Sequence, residues 1–341
     1  MSVVFNVLSE ISMNRIFVYA AVVFTSPILV PAATYAVTIS TVPVGNPGNA
    51  ADSTTGCGAV AYKYRIGKTE VTNAQYVEFL NAKAANDPLE LYSTEMGVQP
   101  LGGITRSGAN GSYSYAAKPN MGDKPVNYVS WYDAVRFANW LNNGQGDGDT
   151  ETGAYTIYNR YPDPSGSGIS RNPGATWFLT SEDEWYKAAY YQPAANGGDA
   201  DDYWLYPTAS NFEPTIATTN DVGDITNPGS NVANYNRLFT GTLTTVGSAG
   251  ALSESYYGTS DQGGNVAEWN ESLISGMARA LRGGSCYSHP NFLKPTEAFS
   301  LFADQNAASL GFRVATVPEP STAVLAIIGS VLIWGLGQRF K

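Results

Sequence analysis

The chain has 341 residues, 43% hydrophobic and 12% aromatic, enough to bury a sizeable core in one large domain or two small ones. Its 19 Lys and Arg against 29 Asp and Glu give a net charge of −10 with no basic cluster, which excludes a nucleic-acid partner. A single histidine, His289, and two cysteines, Cys57 and Cys286, exclude multi-histidine metal centres and a four-cysteine site.

In chain order, Arg15, an apolar stretch from Ile16 to Val30 and the small-residue end Thr34-Tyr35-Ala36 form the pattern of a secretory signal peptide over residues 13–36. Met13 is a better start than Met1, because residues 1–12 place Glu10 where charge should be positive. Residues 37–55 read as an extension ahead of the domain. Thr72 to Gln75 predicts a capping box and a helix with Ala74, Val77, Leu80 and Ala84 on one face. Ser130 to Asp133 opens a second helix, with Ala134, Phe137, Ala138 and Leu141 inward and Gly144 as its stop. Ser181 to Glu184 opens a third, burying Trp185, Ala188 and Ala189 before Pro193. Short strands are expected at Tyr62–Ile66, Thr176–Leu179 and Phe312–Ala315. Elsewhere Gly, Asn, Ser and Thr dominate, so the expected fold is a single irregular, loop-rich α+β domain. At the far end, Val317-Pro318-Glu319-Pro320 precedes an apolar run from Thr322 to Gly337, then Arg339 and Lys341. Such a run can just span a bilayer, with its basic end cytoplasmic.

Six segments carry a family resemblance: GKTEVTNAQYVEFLN (67–81), KPVNYVSWYDAVRFANWLN (124–142), TWFLTSEDEWYKAAYY (176–191), DQGGNVAEWN (261–270), RALRGGS (279–285) and GFRVA (311–315). Together and in this order they resemble the sulfatase-modifying-factor, or formylglycine-generating-enzyme (FGE-sulfatase), family over residues 56–316. The resemblance implies one loop-dominated domain related to the C-type lectin fold. The last 25 residues resemble the PEP-CTERM sorting signal of bacteria. That implies handling by an exosortase-type processing enzyme, export, and attachment to the cell surface, at least transiently, through the C-terminal helix.

The oxidases of the family hold copper(I) between two cysteines that follow RGGS, a chemistry that needs two soft thiolates close together. Here Ser288 and Leu293 occupy those positions, so the resemblance does not extend to copper or to formylglycine generation. It does extend to a structural calcium site. The family's ligands map onto Asp261, Gly264, Val266 and Glu268, two carboxylates and two carbonyls, against the roughly 6–8 oxygens that calcium takes with waters. A second site starting at Asn234-Tyr235 lacks a carboxylate before Glu254. Cys57 and Cys286 permit one disulfide in an oxidising compartment, or stand as two buried thiols. Two function classes follow. One is an exported, surface-displayed, non-catalytic module that binds a glycan or a surface protein, or serves as a scaffold. The other is a formylglycine-generating-type oxidase or related enzyme with altered chemistry. The space around Ser288 and Leu293 separates them: a polar cleft favours the enzyme, an apolar plug the module.

Overall fold

The computed structural model describes residues 36–158, 163–236 and 241–317. Most of the expected signal peptide, and the tail from Pro318 onward, therefore lie outside the described residues. No helix among the described residues is long and apolar enough to cross a membrane.

The chain begins with β1 (Thr41–Val44), β2 (Tyr64–Gly67), α1 (Asn73–Lys83), α2 (Glu95–Val98), β3 (Ile104–Ser107) and β4 (Ser114–Ala117). It continues through α3 (Trp131–Asn142), β5 (Trp177–Leu179), α4 (Glu182–Tyr190), β6 (Thr215–Ile216) and β7 (Val232–Ala233). It closes with β8 (Ala267–Ile274), β9 (Ala278–Arg282), β10 (Phe299–Leu301), β11 (Leu310–Phe312) and β12 (Val314–Thr316). Two four-stranded sheets carry the fold, in the orders β1-β2-β12-β5 and β10-β9-β8-β11; β3-β4 and β6-β7 form small two-stranded pieces. The result is the mixed, loop-rich α+β architecture expected.

All three capping boxes form. Thr72, Ser130 and Ser181 each accept from the backbone N–H three residues on, and Gln75, Asp133 and Glu184 reach back to the cap. Each satisfies two of the N–H groups that a helix start leaves without an intrahelical acceptor. The buried face of α1 differs from the expected one: Ala74 is exposed, and Tyr76 and Phe79 point inward with Val77 and Leu80. Large rings win the inward positions because they bury far more apolar area than a methyl group. Their rings meet Phe137 and Trp140 of α3 and Phe312 of β11 in one aromatic cluster, with centroids 5.3–6.4 Å apart. Trp185 is a core residue, as expected, and so are Trp131 and Trp140 of α3.

Two boundaries are corrected. Residues 37–55 are not an appendage, because β1 lies within them and pairs antiparallel with β2, Thr41 opposite Gly67 and Val44 opposite Tyr64. The expected strand Phe312–Ala315 is two strands in two sheets. β11 runs parallel to β8, and β12 lies antiparallel between β2 and β5. Only Arg313 separates them, so the chain changes sheets at one buried arginine.

Candidate functional site

The RGGS segment ends β9 in a turn that only glycine can make. Gly283 has φ +89°, and a Cβ there would lie 2.5 Å from the Gln262 carbonyl oxygen. Facing it, Gly264 has φ +91°, and a Cβ there would strike the Asn234 carbonyl. The Gly264 N–H donates to the Gly283 carbonyl at 2.9 Å, which locks the two turns together.

Ser288 and Leu293 follow this turn. Ser288 is half-buried and closes a tight loop: its Oγ accepts from the Ser285 N–H at 2.9 Å, and its own N–H donates to the Ser285 carbonyl. His289, exposed, caps the short helical turn Pro290–Leu293 by accepting from the Asn291 N–H at Nδ1, 3.3 Å. Leu293 is fully buried among Tyr206, Ala233 and Tyr235, and its carbonyl accepts from the Tyr190 hydroxyl at 2.9 Å. The structure therefore holds an apolar plug at one position and a self-satisfied serine at the other.

One expected calcium ligand, Glu268, is bonded to a different cation. Both oxygens of the Glu268 carboxylate are held by the Arg313 guanidinium, Nε to Oε2 at 2.5 Å and Nη2 to Oε1 at 2.6 Å. The Trp185 indole N–H adds a third bond at 2.7 Å. Arg313 spends its other N–H groups on the carbonyls of Gly67 and Ser260, both at 3.0 Å. Asp261 adopts φ +61° and accepts from the Gly247 N–H at 2.5 Å. Val266 packs with Leu243 and Cys286. Among the described residues no group of three or more His, Cys, Asp or Glu is placed to hold a metal ion. One of the four expected ligands, the Glu268 carboxylate, is thus already taken by a guanidinium.

Glu70, which sequence reasoning passed over, completes this cluster. It is fully buried, accepts from the Asn265 side-chain N–H at 3.2 Å, and leaves Oε2 without a partner among the described residues. Burial first, then the nearby Asp261, raises the Glu70 carboxyl well above the usual carboxylate range, against the pull of Arg313. Asp261 is pushed up to about 6, again chiefly by burial. Three acids thus share one arginine, and the site reads as a neutralised structural network. A visible signal existed: Glu70 and Arg313 are charges embedded in apolar motif positions, TEV and FRV, where a core demands a partner.

The cysteines are not bridged. Cys57 packs beside the Trp185–Tyr203 cluster, with its Sγ 3.8 Å from Nη2 of Arg282, whereas Cys286 sits beneath the RGGS turn with Leu243 and Val266. The two belong to different clusters, so no bond ties the domain ends. Burial, and next Glu182, raise the Cys57 thiol above its ordinary value.

Three solved structures are similar to this chain over most of its length. The protein named CarF has 21% identity and a TM-score of 0.49, over 83% of this chain and 99% of that one. Variable protein 1 of Treponema denticola has 18% identity and a TM-score of 0.47, over 84% and 98%. PvdO from Pseudomonas aeruginosa has 16% identity and a TM-score of 0.43, over 82% and 92%. No curated protein matches the sequence. The family comparison is decisive instead: residues 29–317 match the Sulfatase-modifying factor enzyme 1-like domain, FGE-sulfatase, over most of the chain. The chain therefore belongs to the FGE-sulfatase family.

Proposed function

We propose that this protein is an exported, non-catalytic member of its family, a module that binds a ligand or organises a surface assembly. The observation that carries the reading is Leu293, a buried side chain without a donor atom at one of the two positions where the oxidases need thiolates. Ser288 supports it, because its hydroxyl is spent on the Ser285 turn. Export and surface attachment rest on the two ends, the signal-peptide pattern at 13–36 and the Pro-Glu-Pro, apolar, basic order at 317–341 that resembles a PEP-CTERM signal. An exosortase-type enzyme is the corresponding partner. The test of the reading is direct: the purified chain is given copper(I), oxygen and a cysteine-containing sulfatase-type peptide. Tight copper binding and conversion of the cysteine to formylglycine, seen by mass spectrometry, would refute it; an unchanged peptide is the expected result.

A further inference from the structure

An open groove of about 810 Å³ lies where the 163–167 turn, the β8–β9 hairpin tip at Gly276 and Met277, and the 302–305 turn meet. Phe302, 50% exposed, and Met277, 64% exposed, present apolar surface there. The turns are held from below. The Ala303 N–H donates to the Pro164 carbonyl and the Tyr132 hydroxyl to the Asp163 carbonyl, both at 2.6 Å. Buried Arg279 donates to the carbonyls of Gly166 and, at 2.7 Å, Ile169. Gln305 Oε1 accepts from the Phe302 N–H at 3.2 Å. An exposed aromatic ring on a pre-ordered turn lowers the entropy cost of binding something flat against it.

The polar atoms narrow the occupant. Asp163 already accepts from the Ser165 N–H and the Ser167 hydroxyl, at 3.0 and 3.3 Å. The Asp304 carboxylate and the Gln305 side-chain NH₂ have no partner among the described residues, an acceptor and a donor side by side. Beneath the groove, Arg279 stacks on Trp131 at 3.8 Å, and among the described residues every acceptor it finds is a backbone carbonyl, of Gly166, Ile169 or Glu271. That cation, with no carboxylate bonded to it, opposes the field of Asp163 and Asp304, so a positively charged occupant gains little. A neutral polyol gains more. Each hydroxyl both donates and accepts, matching the carboxylate and amide together, and a pyranose adds an apolar C–H face for the Phe302 ring.

We propose that this groove binds a neutral saccharide, with a sugar ring stacked on Phe302 and hydroxyls shared between Asp304 and Gln305. The proposal rests on the reading of the chain as a ligand-binding module and names the class of ligand. The experiment is saturation-transfer NMR and titration of the full chain with maltose, cellobiose, lactose and diacetylchitobiose, with a lysine- and arginine-rich peptide alongside. At least one disaccharide should bind, and Phe302→Ala and Asp304→Ala should each weaken it about tenfold, equivalent to about 1.4 kcal/mol. Both side chains are exposed, so unchanged melting temperatures certify the fold of the variants. The proposal is overturned if no sugar binds, if Phe302→Ala binds sugar as wild type does, or if the basic peptide alone binds and is lost in Phe302→Ala. Failure of the wild type to bind any sugar, with an unconverted cysteine peptide, sinks the groove alone; a converted peptide sinks the non-catalytic reading.

Discussion

Arg313 is where the family's sequence pattern turns into architecture. A guanidinium with no solvent exposure survives only with its N–H groups filled, and Glu268, Gly67 and Ser260 fill them. Removing one partner should be far worse than removing both. Arg313→Met leaves Glu268 buried beside Glu70 and Asp261, so a loss of about 3–5 kcal/mol in chemical denaturation is expected. Adding Glu268→Met to it should recover part of that loss; a double variant worse by the sum of the singles would refute this account. With Glu268 held by Arg313, a chelator should leave the melting temperature of the wild type unchanged. A drop of several degrees would restore Asp261 and Glu268 as ligands. Leu293 offers a simpler measurement: Leu293→Ala should cost about 2–5 kcal/mol by opening a cavity against Tyr206 and Tyr235. A cost near zero would mean that the plug is loosely packed and the position accessible.

Among the helices, α3 is the most deeply set, with every residue from Trp131 to Leu141 buried, and its start bears a titrating group. Asp133 accepts from the N–H and the hydroxyl of Ser130, at 2.8 and 2.7 Å, yet burial pushes its carboxyl up to about 6. A carboxyl whose folded value exceeds its unfolded value of about 3.9 binds more protons when folded across that interval. Its contribution is therefore present below pH about 4 and is lost as pH rises toward about 6, then stays level. The swing is on the order of 2–3 kcal/mol. Asp133→Asn keeps an acceptor at the cap and cannot ionise. Stability of wild type relative to this variant should fall between pH 4 and 6; parallel curves would place the titration elsewhere. The cap itself was legible from Ser130 and Asp133 alone, because a capping box is a contact between residues three apart. The buried face of α1 was less so: periodicity marked Ala74, and packing against α3 and β11 chose Tyr76 and Phe79.

For the whole molecule, the two ends make one prediction. If the signal peptide delivers the chain and the Pro318-Glu319-Pro320 tail is a sorting signal, mass spectrometry of the native surface protein should find a C-terminus near residue 320. Intact Lys341 in most molecules would remove the sorting signal and leave a plain anchor. By itself the sequence determined the family, the α+β class, the three capped helices, and that no thiolate pair follows RGGS. Each is written in a short stretch of chain, where local hydrogen bonding or the identity of a side chain decides the outcome. Tertiary structure alone decided that Phe312 and Val314 serve different sheets, that Glu268 belongs to Arg313, and that Cys57 and Cys286 lie in separate clusters. It also brought Asp163, Met277 and Phe302 to one groove from three distant turns. Long-range pairing is settled by which charges and rings must be buried together, and that depends on the packed neighbours of a residue more than on its neighbours in sequence.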